Sequence, residues 1–77
     1  MREVQLGTAR GPGEPIEVLR IAGFDVSLTG TDVGVARDAA LKLGASLQQL
    51  ADRAVGAAST ASHARRQFMT FCRAVVG

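Results

Sequence analysis

The chain has 77 residues, a net charge of +2, one cysteine and one histidine. A domain of that length buries a modest share of its surface and often needs a staple or a partner. Cys72 alone rules out an internal disulfide, and one Cys with one His falls short of the ligand set of a structural zinc site, so neither metal nor cofactor is expected.

Apolar residues make up 47%, too many for a disordered tail, but only three residues are aromatic. Much of the apolar total is alanine, which buries little area per residue. A core this thin favours a protein partner, either a homo-oligomer or a small assembly. No apolar h-region follows Arg2 and Glu3, and no run reaches the roughly 20 apolar residues of a membrane span. A cytoplasmic protein with no membrane partner is expected; export without a classical signal and a place in a virion stay open. The charge is unevenly spread. Residues 1–52 carry five Lys/Arg and seven Asp/Glu, whereas residues 53–77 carry four Arg and no acid. That asymmetry marks either a binding face for an anion or a helix whose cations favour its C-terminal end.

Residues 1–15 hold a short alternating piece, EVQL, followed by GTARGPGEP, which reads as a flexible arm. Its glycine spacing fits no phosphate-binding loop. Residues 16–29 read as a strand or β-hairpin. Phe24, Val26 and Leu28 alternate with Asp25, Ser27 and Thr29, Ile16 and Val18 alternate in the same way, and Gly23 marks a tight turn or a bulge. Residues 31–77 read as helical. Thr29-Gly-Thr-Asp32 fits a capping pattern in which either threonine caps the helix.

Beyond Asp32, apolar or small residues fall at Val33, Ala36, Ala40, Leu43, Leu47, Leu50, Ala54, Ala57, Ala61, Ala64, Phe68, Phe71 and Val75, in unbroken three- and four-residue steps. Such spacing is a heptad seam, or the buried stripes of two helices that share phase. The weakest stretch for a helix, Val55 to Ser62, predicts two helices over about 32–55 and 60–76. One long helix paired with another chain is the alternative. The fold class expected is α+β in a single small domain, a strand or hairpin followed by a helical hairpin.

No chemistry is expected. His63 and Cys72 are nine residues apart and fall on opposite faces of a helix, and Asp38 with Lys42 reads as a surface ion pair. The function expected is therefore non-catalytic protein–protein association, as an assembly or adaptor subunit without a small-molecule substrate. Leu43, Leu47, Leu50, Phe68 and Phe71 are the partner-contact candidates, with an internal core as the other reading of the same residues. Thr60, Ser62, Arg65, Arg66 and Arg73 are the candidates for contact with an anion or a nucleic acid.

Residues 47–66 carry a second possibility. Leu50, Ala51, Ala54, Val55, Gly56, Ala57, Thr60, Ala61 and Ser62 resemble the helix-turn-helix of transcriptional regulators. That resemblance implies DNA binding, with Thr60 and Ser62 on the recognition helix and Arg65 and Arg66 behind them. The turn glycine of that family, however, is replaced here by Val55, with Gly56 one place late. FDVSLTGTD and the leucines after it also resemble the opening of some phage tail-completion proteins, and are similar to the small helical partners of type VII secretion, without their Trp-x-Gly motif. Both imply structural assembly.

Overall fold

A computed structural model describes residues 16–77, in an α+β arrangement of a two-stranded hairpin followed by three helices. The elements are β1 (Ile16–Ile21), β2 (Phe24–Thr29), α1 (Thr31–Leu43), α2 (Leu47–Ala54) and α3 (Ala61–Val76). The arm expected over residues 1–15 lies outside the described residues.

β1 and β2 pair antiparallel from Ile16↔Thr29 to Ile21↔Phe24. Ala22 and Gly23 make the turn with φ of 54° and 87°. Positive φ at both central residues is what a type I′ two-residue loop requires, and its twist matches that of the strands. Gly23 adopts it freely, whereas Ala22 bears a local strain of about 1–2 kcal/mol. Leu19, Ile21, Val26 and Leu28 face the helices and are buried. Ile16 and Val18 are exposed, so β1 has the opposite phase to the one its first residues suggested. The register explains this: the inner face pairs Leu19 with Val26 and places Glu17 opposite Leu28, and Glu17 reaches Arg37 of α1 at 3.6 Å.

The helical part has three helices where two were expected. The additional break falls at 44–46, and it is built from local chemistry. Gly44 takes the left-handed conformation (φ 64°, ψ 36°). Its N–H donates to Leu41 O and that of Ala45 to Ala40 O, the paired bonds of a Schellman C-terminus. Ser46 then opens α2 with a reciprocal capping box: its hydroxyl accepts from Gln49 N at 3.1 Å, and Gln49 Oε1 accepts from Ser46 N at 3.0 Å. The second break, Val55–Thr60, lies where helix propensity was weakest, and Thr60 caps α3 by accepting from His63 N. A single long helix is excluded by both breaks.

At the start of α1 the N-cap is Gly30, with no side-chain cap bond, so neither threonine plays the role that the sequence pattern suggested. Glycine occupies the cap position and has no side chain to offer.

One apolar core joins all five elements: α1 packs on α3, α2 on β1, and α3 also on β2. Phe68, Ile21, Leu28, Leu50, Val33 and Cys72 are its largest fully buried members. No helix among the described residues is long and apolar enough to cross a membrane.

Candidate interaction surfaces

The five apolar candidates do not form one surface. Leu50 and Phe68 are fully buried within the chain, so they belong to its own core and offer nothing to a partner. Leu43 is 41% exposed. Leu47 and Phe71 are half-buried, each lining a different shallow groove. The uninterrupted seam is therefore split, because the turns at 44–46 and 55–60 reset the phase of each helix. Ala57 and Ala61, both members of that series, face solvent, while Ala39, Ala51, Val55, Met69 and Cys72, outside it, are buried.

The first groove, of about 510 Å³, lies at the corner of α1 and α2 and is lined by Arg37, Ala40, Leu41, Gly44, Ala45 and Leu47. Its rim carries the most exposed large apolar side chain among the described residues, Leu41, at 80%. Leu41 is not in the three-and-four-step series, and that exclusion was the available sequence signal that it points away from the core.

The second groove, of about 450 Å³, runs along α3 between His63, Arg66, Gln67, Thr70 and Phe71. His63 Nε2 and Gln67 Nε2 lie 2.9 Å apart across one turn of that helix. Arg66 is exposed beside it.

The other two basic candidates are already engaged. Arg65 Nη1 donates to Asp32 Oδ2 at 3.2 Å, and Arg73 Nη2 to Asp32 Oδ1 at 3.5 Å. Asp32 sits in the first turn of α1, where a negative charge also complements the helix dipole. The three side chains tie the N-terminus of α1 to the outer face of α3. Partners 33 and 41 residues apart in sequence left no trace in local patterns. Thr60 is spent as the α3 cap, and Ser62 is exposed in the first turn after it. Asp38 and Lys42, expected as an ion pair, make none with each other.

The link between α2 and α3 differs from a helix-turn-helix turn. It is six residues long, Val55 is extended (φ −133°, ψ 111°) and buried, and Gly56 is not among the residues with positive φ. Helix-turn-helix motifs use a three- to four-residue turn that often contains glycine.

Cys72 is buried, and burial pushes its thiol up to about 11 against a smaller opposing pull from Arg73. At neutral pH it is a packed apolar group without nucleophilic character. His63 is exposed on the far side of α3's buried stripe.

Gln48 has a role that sequence reasoning missed. Its Oε1 accepts from Arg20 N at 3.1 Å and its Nε2 donates to Arg20 O at 2.6 Å. The α2 amide thus satisfies both backbone groups of Arg20 on the outer edge of β1, as a neighbouring strand would. Nε2 also reaches Asp52 at 3.1 Å, which fixes the orientation of the amide. Strand addition at this part of the edge is blocked by the chain's own side chain.

No protein-family model, no curated protein and no solved structure matches this chain.

Proposed function

We propose that the protein is a non-catalytic association module that docks through the corner of α1 and α2. The observation that supports this reading is Leu41, 80% exposed, on the rim of a groove that it lines together with Ala40, Gly44, Ala45 and Leu47. Leaving a leucine in water forgoes about 1.5–3 kcal/mol of burial, and a contiguous apolar patch with a charged rim is the usual mark of an interface. Arg37 supplies that rim. The association acts by burial alone and calls for no cofactor.

The test compares wild type with a Leu41→Gln variant. Sedimentation measures self-association, and co-purification followed by identification measures other partners. The wild type is expected to associate and the variant to lose that association while keeping its melting temperature. A wild type that is monomeric and recovers nothing beyond what the variant recovers would end this reading.

Duplex-DNA binding by residues 47–66 is the second reading. It is supported by an α3 that carries three arginines and no acid, with Ser62 and Arg66 facing outward. With Arg65 and Arg73 engaged by Asp32, its phosphate contacts would centre on Arg66. DNA titration at two salt concentrations tests it, because binding through phosphates weakens steeply as salt rises. No binding at low salt removes it.

A further inference from the structure

The outward face of α1 carries three features that packing among the described residues does not explain. Leu41 is 80% exposed. Gly34 is the fourth residue of the same helix, a position where glycine is less favourable than alanine, yet it lacks the positive φ that would call for glycine. A Cβ built there would meet nothing within 4 Å among the described residues, so internal packing does not require glycine either. Between the two lie Arg37 and Asp38, adjacent and of opposite charge, both exposed.

These features share one geometry. Gly34 and Leu41 are seven residues apart, close to two turns, and so lie on one face. Residues 34 and 41 straddle the same midpoint as residues 37 and 38. A two-fold axis through that midpoint, crossing two α1 helices antiparallel, therefore sets Leu41 of one copy over Gly34 of the other. The same axis sets Arg37 of each copy against Asp38 of the other.

We infer that the partner of this face is a second copy of the chain, in a two-fold α1–α1 pair with Leu41 as the knob and Gly34 as the place where the backbones come close. The inference rests on the association reading above and names its partner. An isologous contact uses one patch twice, so a knob and its socket must both be on it, and here they are. The charges are arranged to match under the same operation, which gives the pair its register. Arg37 is held only loosely at home, 3.6 Å from Glu17 with its side chain 56% exposed, and its guanidinium has donors enough for both acids. A helix of 13 residues is about 20 Å long, short for a standard interface of ~800 Å² per partner, so the dimer is weak and forms at high micromolar concentration.

Sedimentation equilibrium of the full chain up to about 1 mM, the weak limit of measurable dimers, is the experiment. The wild type is expected to shift to dimer as concentration rises. Arg37→Asp and Asp38→Arg should each weaken the dimer about tenfold or more by setting like charges across the axis. The double variant R37D/D38R restores opposite charges and should recover the wild-type constant to within about threefold. Gly34→Gln should raise the melting temperature, since it improves helix propensity, and weaken the dimer because its side chain bars Leu41.

A wild type monomeric at ~1 mM, or a dimer indifferent to both single reversals, overturns the second-copy inference. The first result, with a different protein still captured through Leu41, leaves the association reading standing. So does the second, in which a dimer forms through another face.

Discussion

α1 and α3 pack against each other, yet they distribute their apolar side chains in opposite ways. α3 turns its bulk inward, burying Phe68, Met69 and Cys72 with Ala64. α1 buries Val33 and three alanines, leaves Leu41 80% exposed, and covers Leu43 only in part, at 41% exposed. The inner face of α1 that packs on α3 is thus small, and the bulkier buried side chains of the pair come from α3. Leu41 is then surplus to the packing of the described residues. The difference teaches that size does not decide burial: on α1 the covered stripe is Val33 with Ala36, Ala39 and Ala40, and a leucine out of phase with it stays in solvent.

Four perturbations would break or sharpen this contrast. The largest effect is expected from Phe68→Ala, which removes the main filler on the α3 side. A loss of about 3–5 kcal/mol is typical for a buried phenylalanine, and a domain this small has little more in total. Far-UV circular dichroism at 25 °C should therefore show a largely unfolded chain. A cooperative urea transition near the wild-type midpoint would show that α3 does not carry the core.

The second concerns Cys72 on the same buried stripe. Its thiol is raised from 9.0 to about 11 by burial, so the folded state keeps a proton that the unfolded state releases. The stabilising contribution is complete below pH 9 and is lost as pH rises from 9 towards 11, by roughly 2–3 kcal/mol in total. With no tyrosine in the chain, that window is free of phenol titration. Urea midpoints of wild type should fall across it, and those of Cys72→Ala should stay nearly level. Parallel slopes would place the thiol in contact with water.

Asp32→Asn is expected to cost about 1 kcal/mol, combining the weakened pairs to Arg65 and Arg73 with the lost charge at the α1 N-terminus. The arginine side chains are 49% and 62% exposed, so most of the Coulomb energy is screened. Melting in 0.5 M salt should narrow the gap between variant and wild type. A gap that persists would mean that the carboxylate acts through packing.

The smallest effect is expected at Leu41. Leu41→Gln should leave the stability of the monomer within about 0.5 kcal/mol of wild type, measured by dilute thermal melts. A loss comparable to that at Phe68 would mean that Leu41 is covered within the chain, and the contrast between the helices would collapse.

The hairpin and the third helix were legible because their signals are local. Phe24-Val26-Leu28 alternation set the inner face of β2, and the weak stretch from Val55 to Ser62 placed the break before α3. The break at 44–46 was legible as well, since Gly44 followed by Ser46-x-x-Gln49 is a stop signal joined to a capping box. It was masked by a run of three- and four-residue steps, which alanine satisfies in several registers. Of the surface features, the exposure of Leu41 was implicit in its phase. The clamp of Asp32 by Arg65 and Arg73, and the amide of Gln48 on the edge of β1, had no sequence counterpart, because each joins residues 28 or more positions apart.

By itself the sequence determined where the backbone turns and which residue types begin and end each element, since capping, glycine conformation and strand alternation act between near neighbours. Tertiary structure alone decided which members of the apolar series are fully covered. Burial depends on how helices pack, and here Ala36 and Ala40 are covered whereas Leu43 and Ala57, members of the same three- and four-residue series, are left exposed.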